Sequence, residues 1–372
     1  MDIGIPREAR PREHRVALAP SGVRTLIQQG HRVWVESDAG TDAGHPNAAY
    51  ESAGAEIAYS REEILGRAKL VVTVYAPLAR DYGLLQKDQV VFGFWALPAT
   101  RPEDFAALQE SAVTAVGIEA IEDEDGNAPV RTSMSEIAGS LAVTVGSSLL
   151  LNEYGGKGIL LGGVAGVPPA HFVILGAGVL GRAAARAGIG LGAQVTLLDR
   201  SVAHLRDVSR ELHGGYTTML ATRPNIEMAL SFADLVLGAV AVSGQRAPVI
   251  VTRDMLRRMK PRTVVMDLSI DMGGCFETSR PTTLASPTYE VDGILHMCVP
   301  NLPSVAARTA TKAFTNATLP YLQTIAEEGI DDALRAHPDL ARGVLLYRGR
   351  CASEELARTF GVDWQRAPGI ED

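Results

Sequence analysis

At 372 residues the chain is long enough for about two domains of ~150 residues, each able to bury a core of its own. Hydrophobic residues at 46% against 21% charged exclude a disordered tail or a fibre. A net charge of −8, from 35 basic and 43 acidic residues, has the wrong sign for tracking a polyanion, so no nucleic-acid partner is expected.

The N-terminal stretch MDIGIPREARPREHR has no apolar leader segment, and Cys275, Cys298 and Cys351 form no CxxC pair, so a reducing cytoplasm is the expected location. Short β-branched runs then alternate with helical stretches over the first 130 residues. Strands are predicted at Ile3–Ile5, Arg32–Glu36, Leu70–Val74, Val90–Phe94 and Thr114–Ile118, with helices at Pro20–Gln29, Arg61–Ala68 and Pro102–Glu110 between them. The low-charge run Ile137–Leu151 reads as a buried helix bridging two domains. The longest uncharged stretch, Gly158–Gly181, is broken by Pro168, Pro169 and many glycines, so no membrane span is expected.

A second alternating unit follows, with strands predicted at His171–Leu175, Gln194–Leu198, Leu235–Val240, Thr263–Asp267 and His296–Val299. After Pro303 the pattern is helical to about Glu328, and short elements follow around Leu345 and Glu354–Phe360. A tail of this kind packs most economically on the first domain. The expected fold class is α/β with two Rossmann-like doubly wound domains. Residues 1–130 plus 305–372 would form a discontinuous substrate domain, and 131–304 the nucleotide-binding domain.

The strongest local signal is HFVILGAGVLGRAAARAGIGLGAQVTLLD. An apolar strand runs into Gly176-x-Gly178-x-x-Gly181, an alanine-rich helix follows, and the next strand ends at Asp199, 18 residues after the last glycine. Gly176 permits the tight turn, Gly178 lets the backbone approach a pyrophosphate, and Gly181 lets helix and strand pack closely, while Val179 and Leu180 open the helix whose N-terminus favours an anion. A carboxylate at Asp199 would accept the ribose hydroxyls and favours NAD over NADP, although the adjacent Arg200 could receive a 2′-phosphate.

Ligands of open α/β sheets bind beyond the carboxyl ends of the strands. At those ends and just past them are Ala239 and Val240, followed by Ala241, Val242 and Ser243; then Leu268 and Asp271; then Val299, Asn301 and Leu302. Asp271 has two readings from spacing alone: a residue lining the nicotinamide side of a cleft, or an aspartate capping the turn before Gly273-Gly274.

Long motifs spread through the chain resemble the alanine dehydrogenase and pyridine nucleotide transhydrogenase family, and its alanine dehydrogenase branch above all. They are IPRE and EHRVALAP (Ile5–Glu8, Glu13–Pro20), SMSEIAG (Ser133–Gly139), ILLGGVAGV (Ile159–Val167), GAGVLG, SIDMGGCFETSRPTT (Ser269–Thr283), CVPNLP (Cys298–Pro303) and TNATLPY (Thr315–Tyr321). The resemblance implies a two-domain subunit with its active site in the cleft between the domains, and a homo-oligomer, usually a hexamer, with a dimer as the alternative. It implies that Arg15 holds the substrate carboxylate, that Asp271 handles protons, and that Asn301 lies in the same loop set. It also makes Ser135 a cofactor contact, although Ser133-x-x-Glu136 has the spacing of a helix capping box as well.

Two positions depart from the family pattern. Where a lysine precedes a KEP-type sequence this chain has Tyr75, and where a histidine is expected it has Ala96, next to Trp95. Tyr75 could act as a proton donor or form an aromatic wall of a reshaped pocket, and Trp95 carries the same ambiguity. His14, beside Arg15, reads as a surface residue. No metal-binding pattern is present.

The leading expectation is an NAD-dependent oxidoreductase acting on the C–N bond of an amino acid or related imine, alanine dehydrogenase-like but with a substrate other than alanine. Asp271 and Tyr75 are its candidate catalytic residues, and Arg15, Tyr75, Trp95, Ala96 and Asn301 its candidate substrate contacts. The alternatives are an NAD-bound deaminase, cyclase or lyase without net redox change, and a catalytically silent NAD(H)-binding relative.

Overall fold

A computed structural model describes residues 1–97, 100–124, 126–241 and 246–370. The chain divides into two compact units, Met1–Met134 with Ser304–Asp372 and Ser135–Pro303. In chain order the strands are β1 (Asp2–Ile5), β2 (Arg32–Glu36), β3 (Glu56–Ala58), β4 (Leu70–Tyr75), β5 (Val90–Phe94), β6 (Thr114–Gly117), β7 (His171–Leu175), β8 (Gln194–Asp199), β9 (Tyr216–Leu220), β10 (Leu235–Gly238), β11 (Val264–Asp267), β12 (Thr288–Val291), β13 (Ile294–Met297), β14 (Val344–Tyr347) and β15 (Arg350–Cys351).

The first unit is a sheet in the order β15-β14-β6-β5-β4-β1-β2-β3. Its first six strands in sequence run parallel, with β14 antiparallel to β6 and β15 antiparallel to β14. Read from β3, the order of the parallel strands is 3-2-1-4-5-6, so the winding reverses between β1 and β4. Helices cover both faces, and the central strands are therefore apolar throughout rather than alternating: Leu70, Val71, Val72 and Val74 of β4 are all buried.

The late helix Ala307–Glu328 belongs to this unit and fixes the segment that carries Arg15. The backbone N–H groups of Val16 and Ala19 donate to the hydroxyls of Thr311 (3.1 Å) and Thr315 (2.8 Å), and that of His14 donates to Ser304 Oγ at 3.0 Å. The Tyr50 hydroxyl donates to the Leu18 carbonyl at 2.9 Å. An irregular segment so buried must place each of its backbone groups on a partner, and side chains from late in the chain supply several of them.

The second unit is a sheet in the order β12-β13-β11-β10-β7-β8-β9, all parallel except β12. Counting its parallel strands from β7 again gives 3-2-1-4-5-6, the Rossmann order, with the reversal between β7 and β10. Its two faces bury separate apolar clusters, one around Phe172, Ile174, Leu197 and Leu237 and one around Val173, Leu175, Val236 and Phe276.

Several elements differ from the sequence expectation. Strands β3, β9 and β12 were not predicted. All three are edge strands, and their half-exposed residues lack the apolar run that marks the interior ones. β10 ends at Gly238 rather than Val240. The bridging helix begins at Pro129 and ends at Leu149, carrying the chain from the first unit into the second. Ser133 therefore lies inside it, and its hydroxyl donates to the Val130 carbonyl at 2.9 Å instead of capping the helix, which overturns the capping-box reading.

Candidate active site

In the second unit, β7 ends at Leu175 and the chain turns at Gly176, whose φ of +109° is a conformation that side chains resist. A Cβ on Gly176 would meet the Ala239 carbonyl at 2.3 Å, and one on Gly181 would meet the Gly176 carbonyl at 1.9 Å. Both glycines are required by the protein itself. Gly178 differs: a Cβ there would meet nothing within 4 Å. It caps the helix Val179–Gly190, and the first-turn N–H groups of that helix, on Val179, Leu180 and Gly181, have no intrahelical partner. The space a Cβ at Gly178 would enter is thus a cradle beside free N–H donors, which fits the pyrophosphate of a dinucleotide.

Asp199 ends β8 and is largely buried. Its carboxylate accepts the N–H of Ala177 at 2.7 Å, inside the glycine loop, and that of Ser201 at 2.7 Å, and it lies 3.3 Å from His204 Nδ1. Asp199 therefore holds the glycine turn to the neighbouring strand end, while Arg200 beside it is exposed. His204 was not singled out in the sequence.

Across the reversal, Ala239 and Val240 follow β10, half-buried. The Val240 N–H donates to Ser269 Oγ at 3.0 Å, which ties the loop after β10 to the loop after β11. Val242 and Ser243 lie outside the described residues.

The loop after β11 is organised by Asp267, which is fully buried. Its carboxylate accepts the N–H groups of Ser269 (3.0 Å), Cys275 (2.8 Å) and Phe276 (3.3 Å) and the Ser279 hydroxyl (2.6 Å). Sequence reasoning missed this residue, because nothing local distinguishes it from any aspartate at a strand end. Its grip closes the loop and presents an exposed Asp271 in the 3-10 turn Ile270–Met272, ahead of the left-handed Gly273 and Gly274.

Asn301 follows β13 with φ at +59°, and its N–H points to Asp271 Oδ2 at 3.5 Å, so the structure brings these two predicted residues together. Leu268 is half-buried beside the same loop. Val299 and Leu302, also expected at the cofactor, are 2% exposed and belong to the apolar cluster around Phe172 and Leu197. Ser135 is half-buried on the helix that opens this unit.

In the first unit, the candidate residues gather where β1, β4 and β5 end. Arg15 is buried, with Nε and Nη2 on the Glu13 carboxylate at 2.7 and 2.8 Å. Its Nη1 lies 3.4 Å from Met134 Sδ. Tyr75 ends β4, packed edge-on against Phe94 with ring centroids 5.4 Å apart. The Arg10 guanidinium lies 4.1 Å above the Tyr75 ring, and that of Arg15 lies 5.6 Å from it.

The Glu8 carboxylate accepts the N–H groups of Val74 (2.7 Å) and Tyr75 (3.2 Å), fastening the loop after β1 to the end of β4. Burial, with Glu13 nearby, pushes Glu8 up to about 7 against the pull of those hydrogen bonds and of Arg15.

Ala96 follows β5 with φ at +49°. The Glu119 carboxylate accepts its N–H at 2.9 Å and that of Trp95 at 3.0 Å, and burial raises the Glu119 pKa. The Trp95 indole is 3% exposed and packs with Leu65, Ala76, Tyr82 and Leu97 in an apolar cluster, so the structure places it in the core of this unit. His14 pairs at the surface with Asp42, Nδ1 to Oδ2 at 2.9 Å.

Among the described residues, no group of three or more His, Cys, Asp or Glu is placed to hold a metal ion, and no helix is long and apolar enough to cross a membrane.

Comparison with known proteins matches both units. Residues 4–138 match the family described as Alanine dehydrogenase/PNT, N-terminal domain, and residues 142–354 its C-terminal domain. The chain is 41% identical over 370 residues to an alanine dehydrogenase of Halomonas elongata, covering 100% of both sequences. It is similar to a solved L-alanine dehydrogenase structure with a TM-score of 0.93 and 40% identity, covering 97% of this chain and 99% of that one. A transhydrogenase structure from Sinorhizobium meliloti gives a TM-score of 0.80 and 25% identity, covering 95% of this chain and 99% of that one.

Proposed function

The chain belongs to the alanine dehydrogenase and pyridine nucleotide transhydrogenase family, and on that premise we propose that it is an NAD-dependent dehydrogenase acting on the C–N bond of an amino acid or the related imine, with a substrate other than alanine. The observation that carries the NAD half is Gly178, a glycine that no protein atom demands, set beside the free N–H groups of a helix start. The observation that carries the altered substrate is the pair Tyr75 and Ala96 at the ends of β4 and β5, where the resemblance leads one to expect lysine and histidine.

Gly176, Gly178, Val179, Leu180 and Gly181 would hold the dinucleotide phosphates, with Asp199 beside the adenosine ribose and Ala239, Val240, Leu268, Asp271, Asn301 and Ser135 along the rest of the cofactor. NAD supplies the hydride acceptor for oxidation at the C–N bond. The acid itself loses hydride and a proton to become an iminium, takes up water, and releases ammonia as the keto acid forms. Asp271, exposed in its turn, takes the proton that the amine loses and passes it to solvent, then takes one from the attacking water and returns it to the departing ammonia. Arg15, locked by Glu13, holds the carboxylate in one orientation. An alanine methyl at position 96 in place of an imidazole leaves volume for a larger side chain or a second amine.

We further propose a homo-oligomer in a reducing compartment. Leu160, Val164, Val167 and Leu191 are large apolar residues left exposed, Val164 and Val167 in one bridge, which suits an interface, and the three cysteines are unpaired and buried.

The test is a panel of amino acids with NAD, and of keto acids with NADH and ammonia or other amines, followed by absorbance of the reduced cofactor. Turnover of a larger or substituted acid in preference to alanine supports the reading. Product formed with no net change in NADH would instead mark a non-redox reaction, and a flat response with NADH still bound would mark a silent relative. Tyr75→Lys with Ala96→His is expected to raise alanine oxidation at least 10-fold.

A further inference from the structure

The end of β4 carries more positive charge than the sequence alone accounts for, and the charges are not equivalent. Two of the three guanidinium nitrogens of Arg15 are held by Glu13, so much of its charge is offset. Arg61, at the same end of the sheet, is offset by Asp81 at 2.9 Å. Arg10 has no carboxylate within ion-pair distance among the described residues, and its guanidinium lies over the face of Tyr75 at 4.1 Å. Arg7 and Arg12 are exposed too, but neither is stacked on a ring among the described residues.

The stack is held in place from below. The Tyr75 ring is wedged edge-on against Phe94, and its backbone N–H is fixed by Glu8, two residues before Arg10 on the same loop. The loop that carries the arginine and the strand that carries the ring are therefore bonded to each other. An arginine on an aromatic face keeps its planar edge of N–H donors available, because the ring engages only the flat of the guanidinium. The place is the point where the strand order reverses between β1 and β4, which is where open α/β sheets take their ligands.

We propose that Arg10 is a second cation on the carboxylate of the substrate acid, beside Arg15, and that Tyr75 is a positioning residue that holds Arg10 for it. Arg10 then supplies, from the loop after β1, a cation that the strand end itself lacks. The ligand class is a 2-amino or 2-keto acid, bound through its carboxylate. This inference rests on the dehydrogenase reading above and goes beyond it by naming the residue and the contact.

The experiment uses the full-length protein with NADH and the best keto acid of the panel, with pyruvate and 2-oxoglutarate as fixed comparison acids. Arg10→Gln is expected to raise KM for the acid at least 10-fold, with kcat within about threefold and NADH affinity and Tm unchanged. Arg10→Lys keeps the charge without the planar fork and is expected to recover part of that loss. Tyr75→Leu is expected to raise KM as well, and to add little when combined with Arg10→Gln.

An unchanged KM in Arg10→Gln alongside normal wild-type turnover would overturn the role of Arg10 and leave the dehydrogenase reading standing. Full additivity of the two substitutions would overturn the positioning role of Tyr75. If the wild type with NADH neither binds nor converts any acid, the dehydrogenase reading falls and this inference with it.

Discussion

Ser279 donates its hydroxyl to the Asp267 carboxylate at 2.6 Å, although the two are twelve positions apart and the carboxylate is fully buried. With three backbone N–H groups on the same carboxylate, this bond closes the loop that displays Asp271. Asp267→Asn replaces an all-acceptor group with one that turns an N–H₂ toward donors. Each charge-assisted hydrogen bond is worth roughly 1.5–3 kcal/mol, so a loss of about 3 kcal/mol is expected. Thermal unfolding should show a Tm lowered by several degrees, and NADH titration a weaker affinity. An unchanged Tm would show that the loop is held by something else.

Gly178 and Gly181 separate binding from folding. A methyl group at Gly181 would collide with the Gly176 carbonyl, whereas one at Gly178 meets open space at a φ of −69° that alanine adopts freely. Gly178→Ala is expected to keep the wild-type Tm and to bind NADH at least 10-fold more weakly. Gly181→Ala is expected to lose stability by about 1–3 kcal/mol or more through overpacking. Calorimetry with and without NADH distinguishes the two, and equal NADH affinity in Gly178→Ala and wild type would remove the phosphate role from this turn.

Asp199 has a structural task and, on the proposed reading, a selective one. Its carboxylate fixes Ala177 and would repel a 2′-phosphate, with Arg200 exposed beside it. Asp199→Ala is expected to lower the preference for NADH over NADPH at least 10-fold, measured as the ratio of the two affinities. A preference that stays constant would mean that the ribose end is read elsewhere.

Glu8 predicts a pH dependence. Burial raises its folded pKa to about 7, above the ordinary glutamate value, so the folded protein holds this proton more tightly than the unfolded chain does. Its contribution favours folding most at low pH and declines as pH rises through the window from the unfolded value to about 7, where the carboxylate is ionised in a buried place. Glu8→Gln is expected to flatten the Tm profile between pH 5 and about 7. Identical profiles for variant and wild type would place the slope on another group.

The parts of this molecule that could be read from the sequence are those whose causes are local. A strand, three glycines, a helix and an acid in register mark the turn proposed for the dinucleotide, because Gly176 answers to a left-handed backbone and Gly181 to a carbonyl five residues back. Asp267 could not be read, since its role depends on four partners brought together only by the closed loop. Arg10 was equally hidden, one of several arginines in a charged stretch until folding laid it over Tyr75. Trp95 shows the converse: placed by sequence beside Ala96 past a strand end, it turns inward onto an apolar cluster whose other members come from as far along the chain as Leu65, Phe105 and Leu345. The short edge strands β3, β9 and β12 escaped because half-exposed residues carry little hydrophobic signal.

The first sheet depends on strands separated by almost the whole chain: β6 has β14 as its outer neighbour, and β14 has β15. During synthesis, residues 135–303 leave the ribosome as one uninterrupted piece and can collapse as soon as they emerge. The β6 border stays bare until residue 347 has been made, so the earlier-made unit is the last to be completed. Nascent chains stalled before β14 should therefore expose Thr114–Gly117 to chaperones or to one another, and shortening the polypeptide from its far end should harm the unit that contains residue 1.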